Sequence, residues 1–278
     1  ANRSSLPSWL NTLIDSVAIN PDGFSGRIAA ALLGSGADAP HTTVPSTPLR
    51  VYIAPTNYAG QGWDWARALE QMSDALGARN MAALLPGGFA FPADTSVPTA
   101  AMMASRAWAD AEFDAATKFT HVLVEAERSM FGRRFDRSLP RELVALEEAG
   151  VSTAYMCHGT DIRDPRRHAA LTCWSPYPED PRTAVLQADA DANLRLLRAH
   201  PRPTFVSTPD LLLDVPEAVW CPVVVNTARF HNDRVPFSDS TVRIMHASSS
   251  GVQKGSHLIA PAMSELSSAA GVSYRVIT

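Results

Sequence analysis

The sequence predicts an α/β protein in which helices cover both faces of a parallel sheet, with an incomplete second unit of the same kind after it. Three observations carry this prediction. From Leu49 onward, short apolar runs of strand length alternate with longer segments of helical spacing in the order β-α-β-α-β-α-β. Hydrophobic residues make up 46% of the 278 residues and charged residues only 19%, against about 25% charged in typical soluble domains, so a sizeable core can form. After a polar stretch from Asn232 to Ser240 that contains Pro236, the strand-helix-strand pattern restarts.

Taken in order, residues 1–48 read as a helical extension and linker. Leu6 to Ile19 has helical apolar spacing, Ile28 to Leu33 adds a short second helix, and the Gly/Ser/Pro/Thr run from Gly34 to Pro48 reads as a tether. The main domain, 49–238, opens with a strand at Arg50–Ala54 and a helix at Trp63–Leu76, whose stripe is Trp65, Leu69, Met72 and Leu76. A strand at Asn80–Leu85, a helix at Thr99–Lys118 and a strand at His121–Val124 follow. Next come a helix at Pro140–Ala149, a strand at Val151–Cys157, a helix at Ala188–Ala199 and strands at Thr204–Ser207 and Val223–Val225. Residues 239–278 supply a strand at Val242–Met245, a helix at Ser256–Ala269 and a strand at Tyr274–Ile277. This alternation is Rossmann-like, and right-handed crossovers place the binding crevice at the carboxyl ends of the strands.

Composition excludes several classes. A net charge of −4 and an isoelectric point of about 6.1 lack the basic footprint of a nucleic-acid binder. Three widely spaced cysteines, Cys157, Cys173 and Cys221, suit a reducing cytosol better than a disulfide framework, and no C-x-x-C pair suggests structural zinc. The eight histidines form no H-x-x-x-H or H-E-x-x-H pair, so no metal ligand is assigned. No G-x-S-x-G elbow supports a serine hydrolase. No apolar run of about 18 residues suggests a membrane span.

The candidate chemistry sits at strand ends. The first strand runs through Asn57-Tyr58-Ala59-Gly60-Gln61-Gly62 into a helix, a turn whose backbone N–H groups can meet an anion. As a dinucleotide fingerprint it fails twice: Trp65 holds the third glycine position, and no acid ends the second strand. Close strand–helix packing explains the glycines equally well. The third strand ends in Glu125-Ala126-Glu127, with both carboxylates expected on one face of an extended segment, either at a site or simply solvated. The fourth strand delivers Cys157-His158-Gly159-Thr160-Asp161-Ile162-Arg163-Asp164, the densest polar cluster in the chain. His158 can donate to a sugar hydroxyl or phosphate, or act as a base. The competing reading is a turn in which Asp161 and Asp164 bond backbone and Arg163 pairs with one of them. In the last unit, His246 to Gly255 forms a Ser/Gly loop with Lys254 just before a helix, a seat for phosphate without P-loop spacing.

Four segments together resemble a bacterial GT-B nucleotide-sugar glycosyltransferase, a family with two Rossmann-like domains facing a cleft. Arg50–Leu69 looks like the first strand, glycine turn and helix of its N-terminal domain. Ala154–Pro165 with Trp174-Ser175-Pro176 looks like its His-Gly-[Ser/Thr]-Asp-Ile-Arg segment. Phe205–Asn226 is similar to the exit towards the second domain, and Val242–Gly255 to the opening strand and Lys-Gly loop of that domain. The resemblance implies transfer of a sugar from a nucleotide-diphosphate donor to a glycan or lipid-linked acceptor. It also implies no required metal and no cofactor beyond the nucleotide sugar. Gly60, Gln61 and Gly62 are implied on the acceptor side, His158 near the sugar, Thr160 and Arg163 in the same binding set, and Lys254 with Gly255 at the donor diphosphate. His158, Asp161 or Glu125 is the base that an inverting reaction needs. Retention is the stereochemistry the family suggests, in the cytoplasm with at most peripheral contact at the inner face of the membrane.

The chain departs from the family pattern at Ser248 and Ser249, where relatives carry proline and arginine, and it stops before the family's Glu-x7-Glu segment. The expectation is therefore that this chain alone binds donor weakly and does not turn over, the activity belonging to a longer protein. A non-catalytic binding module on the same scaffold is the main rival reading. A nicotinamide oxidoreductase is a third, disfavoured by Trp65 and the missing acid.

Overall fold

The structure is a computed structural model that describes residues 39–85, 88–89, 91–231, 233, 235, 241–248, 251–268 and 272–277. The helices expected over Leu6–Ile19 and Ile28–Leu33 lie outside the described residues, as does Ser249. The chain forms two compact units, one running to Arg163 and resuming at Asp189–Val225, the other made of Asp164–Ala188 and Asn226–Thr278.

The first unit is an α/β domain on a seven-stranded sheet. Its strands are β1 (Leu49–Ala54), β2 (Leu76–Leu84), β3 (Thr95–Pro98), β4 (His121–Glu125), β5 (Ser152–Cys157), β6 (Thr204–Val206) and β7 (Val219–Trp220). They lie in the order β3-β2-β1-β4-β5-β6-β7, with every neighbouring pair parallel. The order reverses between β1 and β4, which makes their carboxyl ends the switch point where such sheets open a crevice. The Rossmann-like fold class is as the sequence predicts.

Period-2 alternation along the central strands feeds a core on each face. Tyr52 of β1 and Tyr155 and Cys157 of β5 join the larger cluster, with Trp108, Phe131, Leu143 and Leu146. Ile53 and Met156, one residue out of phase, join the smaller one with Trp65, Ala66 and Ala78. The helices of the chain are α1 (Gln61–Met72), α2 (Thr99–Ala104), α3 (Arg106–Ala116), α4 (Leu139–Glu148), α5 (Pro165–Leu171), α6 (Thr183–Ala199) and α7 (Ser256–Ser268).

Several local expectations are corrected. The single helix over Thr99–Lys118 is two, because Ser105 is extended and its hydroxyl accepts from Trp108 N, capping α3. The first helix ends at Met72, and Leu76 begins β2 instead of closing the helical stripe. The last strand of the sheet is Val219–Trp220 and not Val223–Val225. Pro222 interrupts the run, and Val224 spends its N–H and its carbonyl on the Gln61 side chain, at 2.7 Å and 3.1 Å. Strand β3 and helix α5, whose Asp164 N-cap accepts from Arg166 N and Arg167 N, are elements the sequence reading passed over.

The described part of the expected tether, residues 39–48, is not free. Thr42 is buried and its N–H donates to Glu112 Oε2 at 3.0 Å, while Trp108 Nε1 donates to Pro40 O at 3.0 Å. Tyr52 Oη donates to the other oxygen of Glu112 at 2.7 Å. Pro45 and Thr47 press so closely on Gly77 that a Cβ there would lie 2.5 Å from each. This segment is a strap held by one buried carboxylate, because a carboxylate taken out of water must be met by donors.

In the second unit, β8 (Val242–Ala247) and β9 (Val272–Ile277) pair in parallel around α7, in register from Val242 opposite Val272 to Ala247 opposite Ile277. Among the described residues no helix is long and apolar enough to cross a membrane.

Replacing Glu112 by Ala strands the Thr42 amide and the Tyr52 hydroxyl. The expected cost is about 3 kcal/mol in urea unfolding, with faster proteolysis between residues 39 and 48. Unchanged cleavage there would show that the strap does not hang on Glu112.

Candidate functional site

The site is built where β1, β4 and β5 end. After β1 a cis Ala54–Pro55 bond leads into the turn Tyr58–Gly60, in which Ala59 (φ 54°) and Gly60 (φ 80°) are left-handed, and α1 starts at Gln61. Gly62, in the first turn of α1, is needed for close approach. A Cβ there would lie 2.5 Å from Asn80 Nδ2 and 3.1 Å from Glu125 Oε2. Asn80, buried in β2, donates from Nδ2 to the carbonyls of Ile53 and Thr56, both at 3.1 Å, tying the turn to the sheet.

Strand β4 ends at Glu125, whose side chain is fully buried. The chain then turns through two left-handed non-glycine residues, Ala126 (φ 56°) and Glu127 (φ 53°). That strained pair overturns the expectation of two glutamates on one extended face. Such conformations persist only where the surroundings over-determine them; here Ala126 N donates to Met156 O at 2.9 Å and Glu127 Oε1 accepts from Cys157 Sγ at 3.0 Å.

From β5 comes the loop that carries His158. Its Nε2 lies 3.2 Å from Glu125 Oε1, off the line of an ideal hydrogen bond, and its ring meets Tyr58 edge-on at 5.0 Å and Trp65 at 5.7 Å. The His158 side chain is 10% exposed, against 0% for Glu125, so the imidazole is the member of this pair that reaches the surface. With Nε2 turned to Glu125, Nδ1 is the nitrogen left for a ligand.

The electrostatics follow from burial. Desolvation alone would lower the His158 pKa, but the Glu125 carboxylate outweighs it and the net shift is upward. Glu125 is itself raised by burial, with His158 pulling the other way. Glu127 is raised well above the usual carboxylate range by burial and then by the charge of Asp161. The Cys157 thiol is pushed far up by burial and by Glu127, so it is a packed donor and not a nucleophile. Among the described residues, Asn80 Oδ1, Glu125 Oε1 and Oε2, Glu127 Oε2, Thr56 Oγ1 and His158 Nε2 all lack an aligned hydrogen-bond partner, and all lie around these strand ends. Buried polar atoms are rarely left so, and their concentration around one set of strand ends singles the place out.

The remaining candidates divide. Asp161 forms the turn: its carboxylate accepts from His158 N at 2.7 Å and from Gly159 N. Arg163 pairs with Asp210. Thr160 is exposed beside His158. Gln61 is taken up by Val224, and Gly60 packs near Phe91. Lys254 and Gly255 belong to the second unit. There Lys254 is exposed and Gly255 (φ 68°) starts α7, while Ser256 Oγ meets His246 Nε2 at 2.8 Å and Ser248 Oγ at 3.1 Å. Sequence reasoning passed over Asn80, Tyr58, Trp65 and Thr56 as site residues. Trp65, expected in the apolar stripe of the first helix and at a broken glycine position, packs on His158 and donates from Nε1 to Pro222 O at 3.0 Å. Among the described residues no group of three or more His, Cys, Asp or Glu could hold a metal ion.

No protein-family model matches the chain, and neither a curated protein nor a solved structure matches it.

Two outcomes test this geometry. A raised folded pKa means that Glu127 stabilises the fold at low pH and that this contribution is lost as pH rises from the unfolded value near 4.5 through the folded one. Glu127→Gln should therefore gain on the parent as pH rises across that window, by up to about 1.4 kcal/mol per pH unit. A pH-independent difference would refute the shift. Gly62→Ala should displace Asn80 and cost about 1–3 kcal/mol; a neutral effect would mean that the Asn80 contacts contribute little.

Proposed function

We propose that the first unit is the acceptor-side domain of a nucleotide-sugar-dependent glycosyltransferase, moving a hexose-type sugar from a nucleotide diphosphate to a glycan or lipid-linked acceptor. The observation that carries this reading is the unsatisfied polar group around His158 and Glu125 at the switch point of the sheet. A hydroxyl-rich ligand supplies both donors and acceptors, which is what such a mixed set of carboxylate, amide, hydroxyl and imidazole requires. Tyr58 and Trp65 give the same place aromatic walls.

In the reaction, the bond from the anomeric carbon to the diphosphate oxygen breaks and a bond to the acceptor oxygen forms. The nucleoside diphosphate leaves with the bonding electrons, and the acceptor's proton passes to the departing diphosphate oxygen. His158, made more basic by Glu125, carries a proton more readily near neutral pH, so its role here is to donate to a sugar or phosphate oxygen. Asp161 holds the loop that presents it, and Glu125 orients the ring. Taken by itself, the second unit offers Lys254 as an exposed cation for a phosphate group.

A second reading, a binding module without turnover, is favoured by one observation: Glu125 is fully buried and Asp161 is committed to two backbone amides. Neither is then free to deprotonate an acceptor.

A donor screen on the gene product that carries this chain separates the two. The expected result is transfer from a UDP- or GDP-hexose, reduced about 100-fold in kcat/KM by His158→Ala. Sugar-nucleotide binding without transfer or hydrolysis would establish the binding module instead. NADH binding with no sugar-nucleotide binding would overturn both.

A further inference from the structure

Glu125 and Glu127 grip two parts of one loop. Glu125 Oε1 lies 3.2 Å from His158 Nε2, at the ring. Glu127 reaches the stem of the same loop, because the left-handed turn at Ala126 and Glu127 takes its side chain to β5 and off the line of β4. There Cys157 Sγ, one residue before His158, donates to Glu127 Oε1 at 3.0 Å. Three residues after His158 stands Asp161, whose carboxylate accepts from His158 N at 2.7 Å and from Gly159 N. The loop is tied further where Ser207 Oγ donates to His158 O at 3.1 Å and Asn193 Nδ2 to Asp161 O at 2.9 Å.

Glu127 differs from the other buried carboxylates in the kind of partner it meets. Glu112 and Glu142 are met by amides and hydroxyls, donors that suit an ionised acid. Glu127, buried at 6% exposure, is met by a thiol, a weak donor, and its Oε2 has no donor among the described residues. The Asp161 carboxyl lies within hydrogen-bonding reach of Glu127 once one of the two acids carries a proton. Two buried carboxyls so close do not both ionise. Asp161 already accepts from two amides, so the proton belongs on Glu127, which then donates to Asp161 while accepting from Cys157. A glutamine makes both bonds at any pH, whereas an acid makes them only while it holds its proton.

We propose that Glu127 is a positioning residue for His158, a single carboxyl whose one proton clamps the loop before and after the histidine, at Cys157 and at Asp161. When that proton passes to water, two carboxylates face each other and the loop that carries His158 loosens. The charged and titratable groups around Glu127 are Asp161, Cys157 and Tyr155 from β5 and its exit, Tyr58 from the turn before α1, and Arg128 next in the chain, with Glu125 and His158 beside them. Burial and then Asp161 keep the proton on Glu127, while Cys157 and Arg128 pull the other way, and the net shift is upward. The clamp is therefore closed below the ordinary carboxylate value and is lost as pH rises from there through the raised one. Its consequence for sugar transfer rests on the function proposed above, whereas the clamp itself does not.

The test follows His158 in this chain without substrate, by nuclear magnetic resonance of its imidazole nitrogens from about pH 4.5 to about pH 8.5. The parent should show two inflections, one from the ring itself and one from the ionisation of Glu127. Glu127→Gln should show the first alone. In parallel, the His158 and Gly159 amides should lose protection from hydrogen exchange in the parent, measured against the unstructured rate at each pH. The expected loss is up to about tenfold per pH unit across the window, and none in Glu127→Gln. Helix α4 should keep its protection in both proteins. A second inflection that persists in Glu127→Gln, identical titrations in the two proteins, or a loss of protection that α4 shares, overturns the proposal. Should Glu127→Gln fail to fold, the parent's exchange decides alone, a local loss supporting the clamp and a shared or absent one overturning it. Absence of sugar transfer would count against the function proposed above and leave these readouts unchanged.

Discussion

The first unit depends on how it meets its buried carboxylates. Glu112, Glu125, Glu127 and Glu142 are all withdrawn from water, and an ion in that position must find donors or take up a proton. Two of them are answered by the chain itself. Glu112 collects the Thr42 amide and the Tyr52 hydroxyl, and so clamps the strap that precedes β1. Glu142 collects the amides of Met130 and Phe131 and the Ser129 hydroxyl, and so shapes the loop that leaves β4. Both are structural, because their oxygens are satisfied by the chain.

Glu125 and Glu127 behave differently. They sit two residues apart at the end of a central strand, and their oxygens are left largely without aligned donors. The strained Ala126–Glu127 pair, the close approach of Gly62 to Asn80 and the His158 ring against Trp65 all converge on them. The contrast with Glu112 and Glu142 separates a fold-building carboxylate from one held for another purpose. Both kinds raise the cost of folding unless protonated or paired, and the upward shift of Glu127 is how that cost is limited.

The same loop that Glu142 shapes carries Arg133, Arg134 and Arg137. The aromatic cluster of Phe113, Phe131 and Phe135 packs against this loop, and Arg134 lies over the Phe113 ring at 4.3 Å. One acidic α3 residue, Asp110, is held below the usual carboxylate range despite some burial because Arg106 and Arg134 both bond it.

The α/β class, most strands of the sheet and the placing of polar clusters at strand ends were legible in the sequence by itself, because apolar periodicity and chain order dictate them locally. His158 and Glu125 were legible as candidates for the same reason: each ends an apolar strand. Tertiary structure alone decided the rest. The Asp161 turn was legible too, as one of two readings of its segment, but no local signal says that Val224 will bond Gln61 and give up its strand, or that Pro40 to Pro48 will be strapped down by Glu112. Nor does any local pattern bring Asn80 and Glu125 around Gly62, or Trp65 against His158. These are contacts between residues tens of positions apart, and they exist only once parallel strands, ordered by crossovers, set their carboxyl ends side by side.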